Sequence, residues 1–123
     1  MSCRTPRKIT DDVQEFCREV AEGGEPVYLE VVPSHQDIPL DCFINVEKRV
    51  SEYGGSVQHG WRIWEWPHTM IEAEFHAVWL APDDMLVDVT PAPKGVTRVL
   101  FLPDSSRVYE GRQVNNIRKP LSK

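Results

Sequence analysis

From residue 56 onward the hydrophobic pattern runs at a period of two, through four successive stretches: SVQHGWRIWEWP, TMIEAEFHAVWLA, MLVDVTP and TRVLFLP. Side chains alternate between the faces of a strand, so each stretch predicts a β-strand. Pro67, APDD, PAPKG and PDSS punctuate them, and four strands joined by such turn signals predict an antiparallel sheet. This constrains the fold more than any other feature, because everything else must pack against that sheet.

Before residue 56 the spacing is different. Ile9, Val13, Phe16, Cys17 and Val20 recur at helical intervals within residues 9–22, behind Thr10 and two acids and ahead of Gly23 and Gly24. PVYLEVVP, residues 26–33, reads as a short strand and SHQDIP as a loop. In residues 40–55, Phe43, Val46, Val50 and Tyr53 again repeat at three and four, with Asp41 as the expected N-cap and Gly54–Gly55 as the stop. The chain of 123 residues supports one core. The expected architecture is a single α+β domain, with a core over about residues 26–103, an N-terminal helix at 9–22 and a polar tail at 104–123. Two helices pack on an antiparallel sheet of about four or five strands, and the tail adds an edge strand or short helix or covers one side.

Composition narrows the function classes. A net charge of −5 without a basic face argues against nucleic-acid binding. No apolar run approaches the roughly 20 residues of a membrane span, and MSCRTPRKITDD has no apolar signal core, so a cytoplasmic protein is expected. Cys3, Cys17 and Cys42 are odd in number and irregularly spaced, which fits reduced thiols better than a disulfide framework or zinc knuckle.

Each thiol has a different expected setting. Cys3 lies in a terminus expected to fray. Cys17 falls on the apolar stripe of the first helix, where a small buried core residue is the ordinary reading. Cys42 follows the expected N-cap, so its sulfur belongs to the first helical turn, where free N–H groups and the macrodipole favour a thiolate.

Two polar residues interrupt the strand pattern. In EAEFHAVWLA one face carries Ile71, Ala73, Phe75, Ala77 and Trp79, leaving His76 on the mixed face with Glu72 and Glu74. In MLVDVTP, Asp88 stands mid-strand, where a buried carboxylate needs a partner. A turn centred near Pro82 and Asp83 places residue 76 opposite 88, within reach of an imidazole–carboxylate hydrogen bond. Cys42, His76 and Asp88 then form a nucleophile, a base and the group that orients it. A metal reading competes, with Glu72, Glu74 and His76 joined by His59 or His68, although same-face strand residues point alongside one another and do not converge.

The order of a cysteine opening a helix, HAVW on one strand and VDVTP on the next resembles the papain-like superfamily, especially its transglutaminase-like and NlpC-type branches. HAVW is similar to the HAW-like motif of transglutaminase-like domains, DVT to their DPT-like motif, and LDCF to the DCSG start of NlpC-type peptidases, without its Ser-Gly. The resemblance covers roughly residues 36–91. It implies a papain-like or transglutaminase-like fold and a cysteine-dependent hydrolase or acyl transferase acting on an amide bond of a peptide or protein, with no cofactor. It also implies a role for Gln36, six residues before Cys42, as an oxyanion-hole donor beside the Cys42 backbone N–H.

Around this triad stand candidate substrate contacts. HGWRIWEW, residues 59–66, carries three of the four tryptophans. Trp61 and Trp64 are therefore read either as core or as the wall of a groove. Glu74 shares the face of His76. Asn45, one turn beyond Cys42, faces either the site or the helix surface. A non-catalytic module that binds a peptide or protein in a Trp-lined groove is the alternative function.

Overall fold

The computed structural model describes residues 3–33, 41–93, 95–112 and 114–121. Helix α1 spans Asp11–Val20; the Thr10 hydroxyl accepts the Val13 N–H at 3.3 Å, and Asp11 and Asp12 occupy the positive end of the helix. Helix α2 spans Cys42–Tyr53. Asp41 sits at its N-cap and its carbonyl accepts the Asn45 N–H, but its side chain makes no capping bond. At the far end the N–H of Gly54 returns to the Val50 carbonyl with a φ of 86°, which glycine adopts without strain.

The strands are β1 (Val27–Glu30), β2 (Ser56–Trp66), β3 (Met70–Leu80), β4 (Leu86–Val87), β5 (Arg98–Pro103) and β6 (Ile117–Pro120). They form a mostly antiparallel sheet in the order β1-β5-β2-β3-β4, with β6 also paired to β3. The tail thus supplies an edge strand. A parallel bridge between Val31 and Asp88 then joins the free edge of β1 to the segment after β4, through Asp88 N–H to Glu30 O at 3.1 Å and Val32 N–H to Asp88 O at 2.8 Å. That bridge curls the sheet almost into a barrel.

Both helices lie on the outer face. Val13, Phe16 and Cys17 of α1 bury against Trp61, Ile63, Ile71, Ala73, Phe75, Leu100 and Leu102, while Cys42 and Val46 of α2 pack on Ala77 and Val89. The inner face holds Leu29, Trp64, Val78, Val99 and Phe101. Gly60 stands opposite His76, and a Cβ there would fall 2.5 Å from the Phe101 ring and 2.3 Å from the Leu102 carbonyl. Glycine is therefore what allows β5 and Phe101 to close on β2 at this point.

Two expectations are corrected. β3 and β4 pair as Trp79↔Val87 and Leu80↔Leu86, so residue 78, and not 76, is in register with 88. The turn is longer than expected because Asp84 adopts a φ of 69° and its N–H bonds Ala81 O, while Ala81 N–H bonds Met85 O. A shift of two residues preserves facing, so His76 and Asp88 still share a side of the sheet as diagonal neighbours. The N-terminal segment also does not fray where it is described. Arg4 exchanges both backbone hydrogen bonds with Glu65, and its guanidinium meets the Glu65 carboxylate at 2.8 Å, which seats Cys3 against the inner cluster.

Candidate active site

Along its edge away from β2, β3 changes partner. β6 covers Met70–Ala73 and β4 covers Trp79 and Leu80; between them, residues 74–78 have no strand partner on that side among the described residues. The chain after β4 veers off toward β1. A cleft of about 440 Å³ opens in this gap, lined by Cys42, Arg62, Glu74, His76, Thr90 and Asn116 among others. Both the helix start and the interrupted strand edge therefore converge on one opening.

His76 is 2% exposed and Asp88 is fully buried. His76 Nε2 lies 3.0 Å from Asp88 Oδ2, while Asp88 Oδ1 accepts the Thr90 N–H at 3.1 Å, so both carboxylate oxygens are engaged. Burial works against the imidazolium, but the Asp88 carboxylate outweighs it, and a hydrogen bond to Cys42 adds to the effect; the His76 pKa is raised to about 9. Burial also opposes ionisation of Asp88, and His76 and Arg62 hold it below the usual carboxylate range. With Nε2 committed to Asp88, Nδ1 is the nitrogen available to the thiol. Cys42 is 7% exposed and stands at the first helical position, where its backbone N–H has no partner within the helix.

Arg62 is the residue that sequence reasoning passed over. Only 4% exposed, it donates from Nε to Glu74 Oε1 at 3.0 Å, and its two terminal nitrogens lie 2.9 Å from Glu74 Oε1 and 3.6 Å from Asp88 Oδ2. Burial works against the Glu74 carboxylate, yet Arg62 and the Trp64 indole hold its pKa below the ordinary range. The signal was present in the sequence. A hairpin tip at Pro67–Thr69 pairs residue 62 directly with residue 74, and a cationic side chain facing an acid on the strand opposite is a stabilising cross-strand pair.

The other expected contacts separate. Glu74 lines the cleft. Asn45 lies neither on the helix surface nor among the cleft-lining residues; it is fully buried and donates to Thr90 Oγ1 at 3.2 Å, bracing the segment that carries Asp88. Trp61 belongs to the core under α1, with its indole N–H on Asp104 Oδ2 at 2.9 Å. Trp64 faces the opposite side and lines a second, adjoining cleft. Gln36 lies outside the described residues. Cys17 is sealed in the α1 core, where burial pushes its thiol up to about 12.

For the metal reading, Glu72 pairs with Arg118, Glu74 with Arg62 and His76 with Asp88. Among the described residues no group of three or more His, Cys, Asp or Glu is placed to hold a metal ion. Likewise, among the described residues no helix is long and apolar enough to cross a membrane. No family model, curated protein or solved structure matches this chain.

Proposed function

We propose that the chain is a cysteine-dependent hydrolase or acyl transferase acting on an amide bond, built on a papain-like or transglutaminase-like arrangement. One observation carries the reading: His76 bonds to the Asp88 carboxylate at 3.0 Å and lies with Cys42 in the wall of one open cleft. A raised His76 pKa favours the imidazolium, the form that holds the proton a leaving amine requires.

In this scheme the Cys42 sulfur attacks the amide carbonyl carbon and the electron pair moves onto oxygen. The Cys42 N–H at the helix start, with Gln36 as the expected second donor, stabilises that oxyanion. Collapse of the adduct breaks the C–N bond as His76 gives its proton to the departing amine. Water, or a second amine in acyl transfer, then releases the thioester carbonyl with His76 acting as base. Asp88 fixes the ring orientation throughout, and Arg62 positions Asp88.

The binding-module alternative draws support from the tryptophan wall of the adjoining cleft. Turnover separates the two readings. Incubation of the folded protein with a peptide-amide library, followed by mass spectrometry, should reveal cleaved, deamidated or transferred products that vanish in Cys42→Ala. Products that persist in Cys42→Ala would sink the thiol mechanism, and binding without any product would favour the module.

A further inference from the structure

The cleft at Cys42 does not end at Glu74. A second cleft of about 360 Å³ shares Arg62, Glu74 and Asn116 with it and is lined further by Trp64, Trp66, Glu72 and the Pro91–Pro93 segment. The two clefts adjoin through these shared residues, the second forming the far half of the combined surface. The far half combines flat apolar surfaces with carboxylates.

The carboxylates are directed in an unusual way. Arg62 Nε and the Trp64 indole both donate to Glu74 Oε1, and the nearer terminal nitrogen of Arg62 meets that same oxygen. Oε2 of Glu74 accepts from no described residue. Glu72 is similar: its side chain is only 7% exposed, Arg118 on β6 donates to Oε2 from the solvent side, and Oε1 accepts from no described residue. Among the described residues each acid therefore keeps one oxygen without a donor, and both acids line the second cleft. At Cys3, which lines the same half, Glu72 and Glu74 each push the thiol upward more than Arg62 lowers it, on top of the effect of burial. The wall also accepts a cation, since the Arg62 guanidinium already lies 4.9 Å from the Trp64 ring centroid.

The geometry points to a subsite in which the Trp64–Trp66 and Pro91–Pro93 walls hold the aliphatic stem of a lysine or arginine side chain while Glu72 Oε1 and Glu74 Oε2 take its charged head. The occupant is thus a basic residue of the same peptide whose amide reaches Cys42. This rests on the thiol-site reading for the identity of the substrate, though the subsite itself needs no catalysis. Charge complementarity favours the class, because among the described residues the lining sets Glu72 and Glu74 against the single cation Arg62, an excess of negative charge that an acidic side chain would meet and a basic one would offset.

The test uses the full-length Cys42→Ala protein titrated with short peptide amides that differ at one position, lysine against norleucine against glutamate, read by tryptophan fluorescence and calorimetry. The lysine peptide should bind roughly tenfold more tightly than its norleucine isostere, a ratio in keeping with one cation–π contact and a partly buried ion pair. That preference should fall to parity in Glu72→Gln/Glu74→Gln and weaken in Trp66→Ala. Norleucine binding as tightly as lysine, or a lysine preference that survives the double glutamine variant, would overturn the subsite. Labelling of the wild-type protein with iodoacetamide, which is small and uncharged, reads the thiol site separately. Rapid Cys42 labelling without a lysine preference removes the subsite and spares the thiol reading. Lysine-selective binding with an inert Cys42 upholds the subsite and removes the thiol reading.

Discussion

Helices α1 and α2 lie on the same outer face of the sheet, and each buries a cysteine against it, yet the two thiols stand in opposite chemical settings. Cys17 sits mid-helix over the middle of the sheet, among Phe16, Ile71 and Ala73, and burial drives its pKa to about 12. Cys42 is nearly as buried, but it opens its helix beside the one stretch of β3 edge left uncovered by β4 and β6, where His76 and Asp88 stand. Burial alone does not distinguish the two positions. Placement relative to a helix start and a break in strand pairing does.

The largest expected effect in sharpening that contrast is at Arg62, which has no counterpart under α1. Arg62→Met leaves the Glu74 carboxylate without its buried cation and Asp88 with His76 alone, and should lower the unfolding free energy by about 3 kcal/mol, measured by urea denaturation. A comparable loss from Cys17→Ala is not expected, since that change removes only a small apolar group. If Arg62→Met proved neutral, Arg62 would not be the anchor of the carboxylates.

Next is the pH dependence of stability. The His76 pKa rises from an ordinary 6.5 to about 9 on folding, so the His76–Asp88 pair contributes its full stability below 6.5 and loses it as the pH climbs through about 9. Asp88 has the opposite sign: its folded pKa is depressed, so its contribution is present above 3.8 and is lost as the pH falls below that value. Denaturation midpoints should therefore decline between pH 6.5 and 9, and Asp88→Asn should flatten that decline. An unchanged slope in the variant would remove Asp88 as the cause.

The smallest effect compares the two helix starts. Thr10→Ala should cost about 1 kcal/mol because it removes a formed cap. Asp41→Ala should cost less, since the Asp41 side chain caps nothing. Thermal melts of the two variants give the comparison, and an Asp41 loss equal to that of Thr10 would contradict it.

Most of the fold was legible because period alone distinguishes the helix stripes from the strands that follow residue 56. The face of each strand was legible too, which is why His76 and Asp88 could be matched despite a register two residues off. What sequence did not reveal depended on single backbone angles and distant partners. Nothing in APDD announces that Asp84 will take a left-handed conformation, and nothing in NIRKP announces a strand alongside Met70–Ala73. The candidate site shows the same division. His76 and Asp88 were readable as residues that break the strand pattern, whereas the bridging of Arg62 to both acids and the burial of Asn45 behind Thr90 arise from packing between segments far apart in the chain.

The central claim is that His76 and Cys42 act as one unit, and site-resolved alkylation tests it most directly. Folded protein treated with iodoacetamide at pH 7 and mapped by mass spectrometry should show Cys42 modified far ahead of Cys17, with the Cys42 rate falling by roughly 10²-fold or more in His76→Ala while Cys17 stays slow in both. A Cys42 rate indifferent to His76, or no faster than that of Cys17, would contradict the account.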